Sequence, residues 1–206
     1  MISRELSNSI KMKYDEISKV FGDFQGKSTL TCPPGCGKCC FKPDISCAPY
    51  ELLPMALHLL DQGRAERVLA KALTLAHERC LFLEVSDEST GKARCSDYEY
   101  RPFICRAFGV SARHGKKGDD YSICRELKKT DSYVPDFNPA DEDLPYIEVW
   151  KKRFETIDPK LLDAEVPINQ ALVVILEKVL LWDTFQKATE QPQECNSDQS
   201  CDKEEN

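Results

Sequence analysis

The residues best suited to chemistry in this chain of 206 residues are its 11 cysteines. Four of them stand close together in the string C-P-P-G-C-G-K-C-C, at Cys32, Cys36, Cys39 and Cys40. Thiolates that bind one metal ion must all lie about 2.3 Å from it, and spacings of two and three residues allow a tight loop to turn several sulfurs inward. The prolines and glycines of the string supply such a turn. This spacing predicts a metal site.

The remaining cysteines before the C-terminal segment are more widely spread. They are Cys80, Cys95, Cys105 and Cys124, with Cys47 close to the first cluster. Thiolates are soft ligands that favour zinc or an iron–sulfur cluster over magnesium or calcium. The spacing does not distinguish these two cofactors, although the cysteine run of bacterial ferredoxins is absent. Disulfides and unligated core cysteines are the alternatives to metal binding.

The adjacent pair Cys39–Cys40 limits how one ion is bound. Successive side chains of an extended backbone point to opposite sides, so the two thiols are not expected to face the same centre. One of them would then bind a second metal, bridge two ions, or pack as a small core residue.

The charge of the chain is uneven. A net charge of −7 and a pI near 5.1 argue against general nucleic-acid binding, which needs a positive field. Residues 94–129 nevertheless carry nine basic and five acidic side chains. Four thiolates on one divalent ion leave a net charge of about −2, which Arg101 and Arg106 are placed to offset. An anionic partner or a solvated surface would also explain this local positive charge.

The thiols are expected to be reduced, in the cytoplasm. Four charged residues between positions 11 and 16 interrupt the apolar stretch that a secretory signal needs. The most apolar segment, 171–182, has 12 residues and contains Glu177 and Lys178. A membrane helix needs roughly 20 mostly apolar residues, so no membrane span is expected. In a reducing compartment, closely spaced cysteines favour metal ligation over disulfides.

Helices must provide most of the framework that positions these cysteines. Apolar residues at steps of three and four predict them. Gly63 is placed to close the second helix, and Pro167 suits the first turn of the last. The predicted helices cover 2–24, 51–62, 64–79, a stretch near 145–157, and about 167–187.

The segments between the helices differ in character. Residues 26–48 are rich in Pro, Gly and Cys and are expected to be irregular. Short apolar pieces alternate with turn signals over 80–124, which predicts two or three short strands or single helical turns. Residues 130–148 contain six acidic side chains and no Lys or Arg, and are expected to form a solvated connector. The polar segment 189–206, which holds Cys195 and Cys201, is expected to be a mobile tail with free thiols.

The fold class predicted from these elements is mainly α, with helices around an irregular cysteine-rich metal-binding core and at most a few short strands. The expected domains are an N-terminal amphipathic helix over 1–25, a cysteine-cluster metal-binding domain over 26–129, an acidic connector with C-terminal helices packed on that domain over 130–188, and a disordered tail over 189–206.

Three strings extend the pattern beyond the first cluster. The order of these strings resembles that of the YkgJ-type cysteine-cluster family, a bacterial zinc- or iron-chelating domain. The order is C-x3-C-x2-C-C, then C-L-F-L, then C-S-D-Y-E-Y-R-P-F-I-C-R, and a last cysteine in S-I-C. The resemblance covers about residues 30–128, and Y-x-x-R-P-x-x-C-R is its most specific part. Cys47 falls outside it. The resemblance implies eight metal ligands: Cys32, Cys36, Cys39, Cys40, Cys80, Cys95, Cys105 and Cys124.

Two functions are compatible with these features. The first is a cytoplasmic metal-binding protein that holds zinc or an iron–sulfur centre, with a structural or electron-transfer role. The second, which rests on a similarity of the same module to part of bacterial flagellin lysine-N-methylase, is an enzyme or accessory module for protein lysine methylation. A protein partner and the oligomeric state are left open.

No residue is predicted to be catalytic. The spacing of Cys32, Cys36 and Cys39 is also that of radical S-adenosylmethionine enzymes, but Lys38 replaces the usual aromatic residue, Cys40 is extra, and the chain lacks alternating strands and helices. The acidic candidates for proton transfer form no pair; they are Glu51, Asp97 and Glu99. Among the histidines, His77 precedes Cys80 by a helical spacing that would allow a shared metal, while a surface position is favoured. His58 and His114 are expected to be a core neighbour and a surface residue.

Overall fold

The chain folds mainly into helices, as its sequence predicts. The computed structural model describes residues 2–28, 30, 32, 35–116, 118–130 and 145–190. The α-helices in these residues are α1 (Arg4–Ser28), α2 (Leu53–Asp61), α3 (Ala65–Thr74), α4 (Phe103–Ala107), α5 (Ile147–Glu155) and α6 (Ile168–Glu190). The strands are β1 (Ser46–Cys47), β2 (Leu83–Asp87), β3 (Lys92–Cys95), β4 (Val110–Gly115), β5 (Gly118–Ile123) and β6 (Val166–Pro167).

Helix α1 lies on the core through one apolar face. Ile10, Tyr14, Ile17 and Phe21 recur at steps of three and four, and all four are buried. This face packs against α2, α4 and α5. The Tyr14 hydroxyl also donates a hydrogen bond to the backbone carbonyl of Glu51 at 2.6 Å. The predicted N-terminal helix is confirmed, and its face is part of the main core.

Helices α2 and α6 form the centre of that core. Pro54 lies in the first turn of α2, where a missing N–H is tolerated. Gly63, with φ of +65°, follows the helix in the left-handed conformation that glycine adopts most easily. Helix α6 begins directly after Pro167 and buries Leu172 and Ile175, while it packs against α2 and α3. Both helices agree with the sequence prediction.

Helix α3 ends earlier than predicted. The apolar pattern predicts a helix over 64–79, but α3 stops at Thr74. The side-chain amide of Asn169, in α6, donates hydrogen bonds to the backbone carbonyls of Leu75 (2.6 Å) and Arg79 (3.1 Å). Since these carbonyls bind a distant element, the chain forms turns there instead of continuing the helix.

The strands form three antiparallel pairs: β1 with β6, β2 with β3, and β4 with β5. Gly91, with φ of +71°, lies in the turn between β2 and β3. The first pair joins the loop before α2 to the start of α6, with Cys47 opposite Val166. Two or three short strands or single helical turns were expected over 80–124. The structure has four strands and the short helix α4 there, because the chain folds back on itself twice as a hairpin.

Several predictions concern segments outside the described residues. The greater part of the acidic connector (131–144) and nearly all of the tail (191–206), with Cys195 and Cys201, belong to this group. The division into four domains also stays a prediction. None of the helices in the described part of the chain combines the length and apolar character that crossing a membrane requires.

Candidate metal centre

The segment that carries Cys36, Cys39 and Cys40, which we call the cysteine loop, lies along the edge of the β2–β3 hairpin. The backbone N–H of Ala93 donates to the Gly35 carbonyl at 2.9 Å. Cys36 forms an antiparallel bridge with Lys92, the first residue of β3. Residues 35–37 thus pair with β3 along the edge of the hairpin. This pairing places the loop next to the strand that ends at Cys95.

Gly37 permits this close contact. A Cβ atom at position 37 would lie 2.5 Å from the Cβ of Ala93, which is closer than two carbon atoms can approach. The Gly37 carbonyl accepts a hydrogen bond from the Cys40 N–H at 2.9 Å and so opens the 3-10 turn Lys38–Phe41. Cys39 and Cys40 are both in this turn, so Gly37 fixes the position of both thiols.

Five cysteines lie on the core side of the loop, and we call them the inner cysteines. Cys80 precedes β2 and Cys95 ends β3, so the open end of the hairpin brings them near each other. Cys105 lies in α4. Cys80 is buried in the main core, and Cys40, Cys95 and Cys105 are partly buried against it. The fifth member, Cys39, adjoins Cys40, and its charge acts on the thiols of Cys80, Cys95 and Cys105.

Three further cysteines lie outside this group, and we call them the outer cysteines: Cys32, Cys36 and Cys124. Cys124 packs against a small second core that contains Phe24, Leu30 and Leu127. An ion pair between Lys38 and Glu126 (2.8 Å) ties that segment to the 3-10 turn. Partial burial, and next the charges of Cys36 and Cys39, raise the pKa of Cys32 to about 11. The outer cysteines are therefore close enough to one another to interact electrostatically.

The thiols of Cys39 and Cys40 face each other. Their Sγ atoms are 3.8 Å apart. Two thiolates on one tetrahedral ion, each about 2.3 Å from it, are separated by about 3.8 Å. The expectation that this pair does not face one centre assumed an extended backbone and is wrong here, because a 3-10 turn places both side chains on the same side. The hydrogen bond within the pair lowers the pKa of Cys39 and raises that of Cys40.

Burial favours the neutral form of the other inner thiols, because it raises the pKa of each. Burial raises the pKa of Cys80 to about 12 and raises the pKa of Cys105 further. Arg101 opposes this effect, since its guanidinium charge lowers the pKa of Cys39, Cys95 and Cys105. This guanidinium donates to the Cys105 carbonyl at 3.4 Å and lies 3.3 Å from the centre of the Tyr98 ring.

Arg106, the second cation expected to offset the thiolates, interacts electrostatically with Cys105 and also binds neighbouring elements. It donates to the Ser18 hydroxyl (2.6 Å), to the Arg101 carbonyl (2.9 Å) and to the Glu99 carbonyl. Its guanidinium also lies 4.5 Å from the centre of the Tyr14 ring. These contacts tie α4 to α1, so Arg106 holds the helix that carries Cys105.

A comparison with protein families matches residues 31–131 to the CxxCxxCC family, whose description is "Putative zinc- or iron-chelating domain". This segment, 101 of the 206 residues, is just under half of the chain and is similar to the CxxCxxCC family. The match supports a metal-binding role for the domain, without deciding between zinc and iron. It does not show the link to flagellin methylase. No curated protein and no solved structure matches the chain significantly.

Cys47 is outside the family pattern, and the histidines are outside the inner group. Cys47, in β1, is only 1% exposed, packs in the main core and interacts electrostatically with Cys105 and Cys80. His77 is exposed, and its Nδ1 lies 3.2 Å from the amide nitrogen of Gln170. His58 stacks on Tyr100 at 4.1 Å between ring centres. His114 likewise stacks on Tyr146, at 4.0 Å.

Asn169 positions the segment that carries Cys80, and the sequence did not reveal this role. Its side chain is buried and also accepts a hydrogen bond from the Leu81 N–H at 3.0 Å. Together with its bonds to the Leu75 and Arg79 carbonyls, this contact holds both sides of Cys80. Asn169 lies outside the matched segment, and a lone Asn in an apolar helical pattern was the only available signal.

The eight predicted ligands are not closed around a point. Across the residues described, no three Cys, His, Asp or Glu side chains stand where a single ion would touch them all. Their assignment as ligands therefore stays a prediction. Closing a centre around the Cys39–Cys40 pair requires other thiols to turn toward it.

Proposed function

We propose that the CxxCxxCC domain is a structural zinc centre of a cytoplasmic protein, which holds the cysteine loop, the hairpins and α4 together. The observation that carries this proposal is the 3.8 Å separation of the Cys39 and Cys40 sulfurs, which suits two thiolates on one tetrahedral ion. The nine cysteines in the described residues are free thiols, as ligands in a reducing compartment would be.

The same separation favours zinc over a [4Fe–4S] cluster. In such a cluster each of the four irons takes one cysteine, so the cluster holds the thiolates apart. Zinc binds four thiolates directly, which brings their sulfurs into contact. An ion with four protein ligands has no open position for a substrate, so the inner ion would contribute to folding: metal bonds replace the apolar contacts that these irregular segments lack.

Two ions are proposed, one for each group of cysteines. The inner ion takes Cys39 and Cys40 and completes its set of four from the other inner cysteines. The outer ion takes Cys32, Cys36 and Cys124 and is weaker, because three thiolates leave one position to water and Cys32 is exposed. Arg101 offsets part of the negative charge of the inner centre.

Single cysteine substitutions test this proposal. Cys40→Ser should lose the inner zinc, whereas Cys32→Ser should lose the outer zinc and keep the inner one. Cys47→Ala is the matched control, because its thiol is buried in the core, and it should keep both ions. The measurement is zinc per chain after gel filtration. Equal zinc loss in Cys40→Ser and Cys47→Ala would mean that the loss follows damage to the fold, and would overturn the assignment.

A further inference from the structure

A cavity of about 450 Å³ lies between α4, α5 and the 3-10 turn Pro159–Leu162. Its volume is within the range of small-molecule sites, roughly 300–1,000 Å³. Phe103, Phe154 and Leu161 form buried apolar walls. The cavity is thus large enough, and apolar enough, to hold the body of a small organic molecule.

Glu51 provides a buried carboxylate in the wall of this cavity. The residue is 7% exposed. One carboxylate oxygen accepts the Ala48 N–H at 3.0 Å, and the other accepts the Phe103 N–H at 2.9 Å. These two bonds fix the orientation of the carboxylate, and each oxygen keeps a lone pair for a further donor. The backbone N–H groups carry no net charge, so a cationic ligand would be the stronger partner.

The charges around the cavity select the sign of a ligand. Its lining contains three carboxylates, those of Glu51, Asp163 and Glu165, against the single ammonium of Lys151. Lys151 forms its ion pair with Glu165. The lining therefore has an excess of negative charge, which attracts cations and repels anions.

We propose that this cavity binds a small organic cation: an amine whose ammonium group contacts the Glu51 carboxylate and whose apolar body lies against Phe103 and Phe154. The site is distinct from the zinc centre, and its ligand is held by a charge-assisted hydrogen bond and by apolar contact. It does not depend on which metal the cysteines bind.

The selectivity of the cavity can be tested with three probes of nearly the same shape. Benzylamine is cationic, benzyl alcohol is neutral and benzoate is anionic. Titrated at pH 8, above the pKa of about 7 that burial gives Glu51, into the full-length, metal-loaded protein and followed by NMR, benzylamine should bind at least tenfold more tightly than either of the others and shift the signals of cavity residues. Equal affinity for benzylamine and benzyl alcohol, or no binding of benzylamine, would overturn the proposal.

Variants distinguish a binding role of Glu51 from a structural one. Glu51→Gln should weaken benzylamine binding at least tenfold, whereas Lys151→Met should strengthen it, because Lys151 competes for the acidic lining. Glu99→Gln, an exposed carboxylate on the surface, is the control and should change nothing. Asp163→Asn, at an exposed position that does not endanger folding, should weaken binding severalfold. Unchanged affinity in Lys151→Met and Asp163→Asn would contradict the electrostatic argument, while zinc content would be unaffected in either case.

Discussion

The absence of a Cβ atom at Gly37 determines the geometry of the cysteine loop. In Gly37→Ala the new methyl group cannot fit beside Ala93, so the loop must move away from β3. We expect the free energy of unfolding to fall by about 1–3 kcal/mol, as for other overpacked sites, and zinc affinity to fall at least tenfold. Denaturant unfolding and competition with a zinc chelator measure these two effects.

Gly22→Ala is the matched control for this substitution. Gly22 is an exposed residue of α1, and a Cβ there meets nothing within 4 Å. Alanine should stabilise the helix by about 0.5–1 kcal/mol and leave zinc affinity unchanged. If both variants bound zinc as the natural protein does, close packing of the loop on β3 would not be required for the site.

Glu51 makes stability depend on pH. Burial raises the pKa of Glu51 to about 7. At a pH between the ordinary pKa of a glutamate and 7, Glu51 therefore keeps its proton in the folded protein and loses it in the unfolded chain. This proton stabilises the fold at pH 5, and the stabilisation disappears as the pH rises through 7. Between pH 5 and 8, the natural protein should lose about 2–3 kcal/mol more of its free energy of unfolding than Glu51→Gln does.

The measurement is denaturant unfolding at several pH values. Glu51→Gln also loses one of its two hydrogen bonds, but that loss is nearly independent of pH and does not alter the slope. Parallel curves for the natural protein and Glu51→Gln would show that Glu51 is ionised to the same extent in the folded and unfolded states. Glu99→Gln, an exposed carboxylate, should give a curve parallel to that of the natural protein.

At the scale of elements, Asn169 connects α6 to the segment that holds Cys80. Asn169→Asp replaces the amide donor by a carboxylate oxygen that faces backbone carbonyls. The carbonyls lose their donor and the like partial charges repel, so we expect a loss of about 1–3 kcal/mol in the free energy of unfolding. Hydrogen exchange should also become faster in residues 75–81.

The control is Gln186→Glu, which makes the same amide-to-acid change at an exposed position of the same helix. It should leave both the unfolding free energy and the exchange rates of residues 75–81 nearly unchanged. Similar effects of the two substitutions would mean that the added negative charge, and not the lost bonds to the turn, is responsible.

The sequence predicts an element well when its own apolar pattern determines the structure. The faces of α1 and α6 are continuous apolar stripes, and both helices form where the pattern predicts. The end of α3 was not predictable, because it depends on Asn169. This residue is far along the chain, and its side chain donates hydrogen bonds to the backbone carbonyls that follow α3. The 3-10 turn at Cys39–Cys40 depends in a similar way on Gly37 packing against β3. Spacing located the cysteines, but the grouping of their thiols depends on tertiary contacts.

The cavity beside Glu51 could not be predicted from the sequence, because it also depends on tertiary contacts. Glu51 was recognised only as an acidic residue without a catalytic partner. Its burial results from α4, α5 and the turn after α5 meeting around it, and each contributes only one or a few lining residues. No local pattern in the chain carries that information.

At the scale of the whole molecule, the helices and the cysteine segments should respond differently to metal removal. Helices α1, α2, α5 and α6 bury large apolar side chains in the main core, whereas the proposed metal bonds would hold the cysteine loop and the hairpins. After chelation, protease cleavage should appear first within 35–47 and 80–130 and only later in these four helices. Equal resistance with and without chelator would place the metal at the periphery of the fold.

Whether the clustered cysteines form a zinc centre is tested by the metal content of the natural protein. Protein purified without oxygen should be analysed for zinc, iron and acid-labile sulfide, together with its visible spectrum. We expect a colourless protein with about two zinc ions per chain, as two sites of three to four thiolates require. A brown protein with stoichiometric iron and sulfide, or one without bound metal, would contradict this expectation.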